Sequence, residues 1–146
     1  MSARFIDTSV LYPLFDRNDP HSTKAEALFA ALAEEAARPH VTVNVLGELF
    51  TTLTRRRVKG GAPLLPHAAA RAVLLQLHAS FEVHDVSAAH WASALRIKES
   101  RVRDHPIWDA LHWAAAAELG CKELLTLDAP GGHRELEGVR FVNPYR

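Results

Sequence analysis

Four acids stand out in this 146-residue chain, because two of them end short apolar runs and two fall early in the helices that follow. Asp7 follows Phe5-Ile6, Glu48 lies in Val45-Leu46-Gly47-Glu48-Leu49, Asp109 comes just after Pro106, and Asp128 closes Leu125-Thr126-Leu127. If the fold gathers them, their charges repel strongly, and such a cluster persists only beside something positive. Carboxylate oxygens suit a hard divalent cation, Mg²⁺ or Mn²⁺. A thiolate site is excluded by the single cysteine, Cys121, and the nine histidines contain no HExxH-like pair that would hold zinc. A cation held by carboxylates can hydrolyse a phosphodiester: it acidifies a bound water, aligns it and stabilises the leaving oxygen. Thr8 and Thr126, each next to or near an acid, could hold a carboxylate or a metal-bound water by hydrogen bonding.

Each residue also has an ordinary role. Asp7 can cap the helix that follows it, Asp109 is favoured by the positive end of a helix, and Asp128, before Ala129-Pro130-Gly131-Gly132, can form a turn. Thr8 and Thr126 can serve as a cap and a strand residue. Glu48 is harder to explain in this way, because it lies close to the apolar stripe of Leu46, Leu49, Phe50 and Leu53, where an unpaired carboxylate is costly to bury.

The elements that must position these acids follow from periodicity. Short strands are expected at Arg4 to Asp7, His40 to Val43, Phe81 to Val86, Lys122 to Leu127 and Val139 to Val142. Between them lie a short helical stretch through Val10 to Phe15, an amphipathic helix over 22–37, and a helix from Val45 that ends at Gly60-Gly61. Further helices run from Pro66 to His78, from the cap Ser87 through Lys98, and from Pro106 to Leu119, ended by Gly120. Strands alternating with helical crossovers predict an α/β domain with a mainly parallel sheet of about five strands, covered on both faces. The length suits one domain, residues 1–146. In such sheets functional groups gather at the carboxyl ends of the strands, where all four acids are expected.

The composition is that of an ordinary globular protein, with 48% hydrophobic and 23% charged residues. No apolar run approaches the roughly 20 residues that span a bilayer, and the first residues do not resemble a signal peptide, so a cytoplasmic protein is expected. The charge sums to zero, 17 basic against 17 acidic residues, which on its face argues against a nucleic-acid partner. The sum conceals a segregation: from Leu49 to Phe81 there is no acid, while Arg55, Arg56, Arg57, Lys59 and Arg71 fall there, and Arg96, Lys98, Arg101 and Arg103 follow. Arg55, Arg56, Arg57, Arg96 and Arg103 are candidates to hold phosphate beside the acids, a contact that gives affinity without sequence information. A solvated face, or pairing with a partner's acids, would account for them equally. His112, one turn from Asp109, can face the cleft but is expected rather at the surface; Trp91, Trp108 and Trp113 are expected in the core or a dimer interface, and Cys121 in the core.

Five segments together resemble the PIN-domain ribonucleases, and more narrowly the VapC-like toxins of bacterial toxin-antitoxin pairs. Phe5-Ile6-Asp7-Thr8-Ser9-Val10-Leu11 resembles the family's opening strand and first acid, and Val45-Leu46-Gly47-Glu48-Leu49 its second acidic motif. Trp108-Asp109-Ala110-Leu111, continuing to Glu118-Leu119-Gly120-Cys121, resembles the third; Leu125-Thr126-Leu127-Asp128 resembles the fourth, and Val139 to Tyr145 the closing strand. The resemblance implies a PIN-like three-layer α/β/α fold and a Mg²⁺ or Mn²⁺ site on Asp7, Glu48, Asp109 and Asp128. It further implies endoribonuclease activity on RNA, homodimerisation and inhibition by a cognate antitoxin. Leu127 and Ala129 to Gly132 stand where relatives often carry a further acid; Asp104 is a nearby carboxylate but reads as a helix-entry residue.

Three rivals have different signatures. A phospho-acceptor receiver domain would show adjacent acids after its first strand and a lysine after its last, whereas Asp7 is followed by Thr8. A structure-specific DNA nuclease needs additional helices. A non-catalytic binding module of the same fold would keep the sheet without needing the four acids.

Overall fold

The computed structural model describes residues 3–55 and 61–146. Six strands form one sheet: β1 (Arg4–Ile6), β2 (His40–Thr42), β3 (Glu82–His84), β4 (Glu123–Leu125), β5 (Glu135–Leu136) and β6 (Val139–Val142). The helices are α1 (Thr8–Leu11), α2 (Ser22–Glu34), α3 (Val43–Arg55), α4 (His67–Ser80), α5 (Ala88–Ser100) and α6 (Ile107–Glu118), with a 3-10 turn at Tyr12–Phe15. The spatial order is β3-β2-β1-β4-β6-β5. All neighbours are parallel except β5 and β6.

The mainly parallel sheet agrees with the sequence pattern. The additional strand is β5, two residues long and too short to carry a periodicity. Strands are also shorter than their apolar runs: Val43 starts α3, and Asp7 lies just beyond β1 as the α1 cap. The helix expected over 22–37 ends at Glu34, and the expected end of the α3 helix at Gly60 lies outside the described residues.

Alternate residues of a strand point to opposite faces, so the complete burial of both Phe5 and Ile6, and the near-complete burial of Leu124 and Leu125, shows that helices cover both sides. Helix α3 buries one stripe, Val45, Leu46, Leu49 and Leu53. Helix α6 differs, because every residue from Ala110 to Ala116 is buried. It ends in a Schellman motif: Gly120 adopts φ +73°, its N–H donates to Ala117 O, and Cys121 N–H donates to Ala116 O. That turn feeds the chain into β4. Cys121 is buried as expected, and burial pushes its thiol up to about 11.

The chain winds outward from β1 through β2 to β3, then returns across the sheet to β4 on the other side of β1. The order therefore reverses between β1 and β4, and a crevice opens at their carboxyl ends. At the opposite edge, charges are paired. Arg4 reaches Glu35 at 2.7 Å and Glu123 at 3.3 Å, and Arg140 also pairs with Glu123, whose carboxyl falls below its ordinary range mainly through that Arg140 bond.

The C-terminal segment is clasped against α1. The buried Tyr145 hydroxyl donates to Val10 O at 2.6 Å, and Lys24 Nζ donates to Tyr145 O at 2.7 Å. Tyr145→Phe keeps the ring and removes the buried hydroxyl's bond to Val10 O, so stability is expected to fall by about 0.5–1.5 kcal/mol. Urea unfolding checks this: the midpoint should drop with an unchanged slope, and an unchanged midpoint would refute the clasp.

Candidate metal centre

Asp7 follows β1 directly and its backbone N–H donates to Leu125 O at 3.0 Å, which fixes it beside the end of β4. Its side chain is held from three directions. Oδ1 accepts the Thr8 N–H at 2.8 Å, and Oδ2 accepts both Ser9 Oγ and Thr126 Oγ1, each at 2.8 Å. Asp7 is therefore both the helix cap and a member of the acidic group. Thr126, almost fully buried, also accepts the Asp128 N–H at 3.0 Å, and Ser9 Oγ accepts the Leu127 N–H at 3.0 Å. Ser9 and Thr126 thus lace the two strand ends together. Thr126 acts on a carboxylate as the sequence suggested; Ser9 was not singled out there, although it stands in the same Asp7-Thr8-Ser9 run.

Glu48 projects from the second turn of α3. Its Oε2 accepts Thr8 Oγ1 at 3.2 Å, and its Oε1 lies 2.8 Å from His112 Nε2. Asp109 comes from the first turn of α6 and is half-buried. Burial first, and then the charge of Asp7, push its carboxyl above the ordinary range; the same two influences raise Asp128. Asp7, Glu48, Asp109 and Asp128 line one cleft of about 330 Å³, together with Thr8 and Ser9. No Lys or Arg appears among the described residues that line it. Asp19 lines it too, its Oδ1 accepting the His21 N–H at 2.8 Å.

His112 departs most from expectation. It is not at the surface: its side chain is 2% exposed, its ring packs against Phe5 at 6.2 Å, and Nε2 lies 4.0 Å from Asp7 as well as 2.8 Å from Glu48. Its Nδ1 is buried with no hydrogen-bond partner. Burial pulls the imidazole pKa down most strongly, yet the Glu48 bond and the charges of Asp7, Glu48 and Asp109 together carry it above its ordinary value.

The basic candidates separate. Arg55 lines a groove that continues from Glu48 and Asp109 past Trp108. Arg56 and Arg57 lie outside the described residues. Arg96 does not approach the acids: it pairs at 3.0 Å with Glu137, in the turn before β6 and hence at the amino edge of the sheet. Arg103 donates to Glu99 O at 2.8 Å, and neither it nor Asp104 lines the cleft. Trp113 is buried, whereas Trp91 and Trp108 are not core residues; they meet edge to face at 5.6 Å on an exposed surface beside the groove.

Comparison with known proteins agrees with this fold. The protein-family model for the PIN domain matches residues 4–130. No curated protein matches the chain. Among solved structures it is similar to VapC20 of Mycobacterium tuberculosis, described as a sarcin-ricin loop cleaving toxin, with 24% identity and a TM-score of 0.69 over 86% of this chain and 90% of that one. It is also similar to a toxin-antitoxin complex from Klebsiella pneumoniae, at 18% identity and a TM-score of 0.68 over 99% and 98% of the two chains. DNA-bound VapBC of Salmonella typhimurium gives 16% identity and a TM-score of 0.64 over 97% and 98%. These likenesses share the fold, and the family match covers all four acids; the chain belongs to the PIN-domain family.

Proposed function

We propose that the chain is a Mg²⁺- or Mn²⁺-dependent endoribonuclease, a VapC-like toxin that works in the cytoplasm as a homodimer and is neutralised by a cognate antitoxin. The observation that carries this reading is the cleft itself. The four predicted acids, from four separate segments, share it with Asp19 and with no described Lys or Arg, and two of them, Asp109 and Asp128, have carboxyls raised by burial and by Asp7. Carboxylates that discourage one another's ionisation are matched by a divalent cation and its all-oxygen preference. Among the described residues no three such side chains already converge on one ion position. An open site of this kind suits a cation that keeps several waters and shares its shell with phosphate oxygens. When bound, the cation supplies a water nucleophile at neutral pH and neutralises charge on the leaving oxygen.

The chain's own residues do the rest. Thr8, Ser9 and Thr126 hold Asp7 in one rotamer, which fixes the deepest oxygens of the site. Asp109 and Asp128 face it from α6 and from the loop after β4. Arg55, at the far end of the α3 groove, can take a neighbouring phosphate. Relatives solved as toxin-antitoxin complexes support an antitoxin partner, and the sarcin-ricin loop cleavage named for one of them supports RNA as substrate. Cutting RNA in this way leaves a 5′-phosphate and a 3′-hydroxyl.

Incubation with a panel of structured RNAs tests the activity. Asp7→Asn and Asp109→Asn are each expected to slow cleavage on the order of 100-fold, about 2.7 kcal/mol of transition-state stabilisation, and EDTA should abolish it. Equal cleavage by the variants, or without metal, would sink the reading; cation binding without any cleavage would favour the non-catalytic module.

The same electrostatics has a stability consequence. A carboxyl with a raised folded pKa favours the folded state below its unfolded value and penalises it as pH rises through the folded value. Metal-free Asp109→Asn should therefore melt at a higher temperature than the natural chain at pH 7, with the gap closing as pH falls towards 4. Mn²⁺ should raise the melting temperature of the natural chain and do less for the variant. A metal-free variant that melts lower at pH 7 would contradict the repulsion.

A further inference from the structure

We propose that His112 is a positioning residue that holds the Glu48 carboxylate in the orientation needed to bind the divalent cation. The inference rests on reading the four acids as a cation site, and extends it to a residue outside the acidic motifs.

Helix α6 presents Asp109 and His112 three residues apart, on one face. Asp109 enters the cleft, while His112 lies beneath it with 2% of its side chain exposed. An ionised carboxylate only accepts hydrogen bonds, so the 2.8 Å contact places a proton on Nε2 whether the ring is neutral or charged. The other neutral tautomer would set two lone pairs against each other and turn an N–H towards the position where Nδ1 has no partner. The bond therefore selects the tautomer.

Its effect falls on Glu48, whose side chain is 41% exposed and has three rotatable bonds. His112 fixes Oε1, and Thr8 Oγ1 fixes Oε2 at 3.2 Å, so neither oxygen is free to swing out of the cleft. Each oxygen keeps a further lone pair for a cation. A residue present only for packing would be apolar here, as Leu111, Trp113, Ala114 and Ala115 are. Instead the position carries an imidazole with an orphaned buried nitrogen, the only such side-chain atom among the described residues. A polar group kept in so apolar a setting is explained by the bond it makes to Glu48.

Calorimetric titration of Mn²⁺ into the metal-free full chain tests this without using activity. His112→Leu preserves bulk and removes the donor, and it should weaken Mn²⁺ binding about 10- to 100-fold. His112→Gln carries an amide nitrogen where the imidazole Nε2 stood, and should bind within about threefold of the natural chain. His112→Asn is polar but too short to reach Glu48, and should behave like the leucine variant. Thermal unfolding without metal identifies any variant that fails to fold, and the glutamine and asparagine pair then decides the matter. Natural affinity in His112→Leu or His112→Asn, or a glutamine variant as weak as the asparagine one, would overturn the role of His112 and leave the cation site standing. Failure of the natural chain itself to bind Mn²⁺ would overturn the cation site, and this inference with it.

Discussion

The site depends on β1 and β4 lying side by side although 119 residues separate Arg4 from its partner Glu123. That adjacency follows from the reversal of strand order, and it is what lets Thr126 and Ser9 bond to the same oxygen of Asp7. Without it Asp7 would be a helix cap and Asp128 a turn residue, as each looks in isolation. The complete burial of Phe5 and Ile6 locks the adjacency in place, because β1 has helices on both faces and no freedom to slip. A one-residue slip would exchange the faces of Phe5 and Ile6 and carry Asp7 away from Thr126.

The two edges of the sheet carry opposite electrostatic solutions within a chain of zero net charge. At the amino edge, Arg4 and Arg140 converge on Glu123, and Arg4 also holds Glu35. Arg96 and Glu137 pair on the same edge. These are partly exposed pairs whose individual contribution is small, but in them each acid meets an arginine. At the carboxyl edge, no described lysine or arginine lines the acidic cleft, and the cationic candidates that touch its acids are two imidazoles, His112 beside Glu48 and His105 beside Asp109. Charge is therefore balanced over the chain and unbalanced at the cleft, which is where an external cation or a phosphate would be felt.

Much of this was legible in the sequence, for reasons that also mark the limits. The four acids could be found because Asp7 and Asp128 end apolar strand runs while Glu48 and Asp109 fall early in helices that follow, and strand ends are where a parallel sheet presents its chemistry. The alternation of short strands and helices was enough for the sheet and its near-complete order of elements, but β5 is two residues long and leaves no period to read. Arg96 was misplaced because helical periodicity tells which side of α5 a residue occupies and not which edge of the sheet that side meets; Glu137, its partner, lies 41 residues away. Trp108 is not in the core, one of the two places its size suggested: it stands exposed at the second position of α6, before the helix enters the core.

The burial of His112 was missed for a different reason. Placing it at the surface presumes that α6 is amphipathic, with one wet face, whereas residues 110 to 116 are all buried and the helix has no wet face in that stretch. In a helix buried all round, a polar residue is buried whatever its phase, so its partner must be sought among neighbouring elements. Among the described residues, its Nε2 meets carboxylate oxygens of Glu48 at 2.8 Å and Asp7 at 4.0 Å, on α3 and after β1. The signal was present as a single histidine in Ala110-Leu111-His112-Trp113-Ala114-Ala115-Ala116, a run otherwise wholly apolar. Such a residue costs stability unless its hydrogen bond is made. Satisfying it with a cleft carboxylate couples the interior of α6 to the site, so the packing that buries the helix also sets the geometry of Glu48.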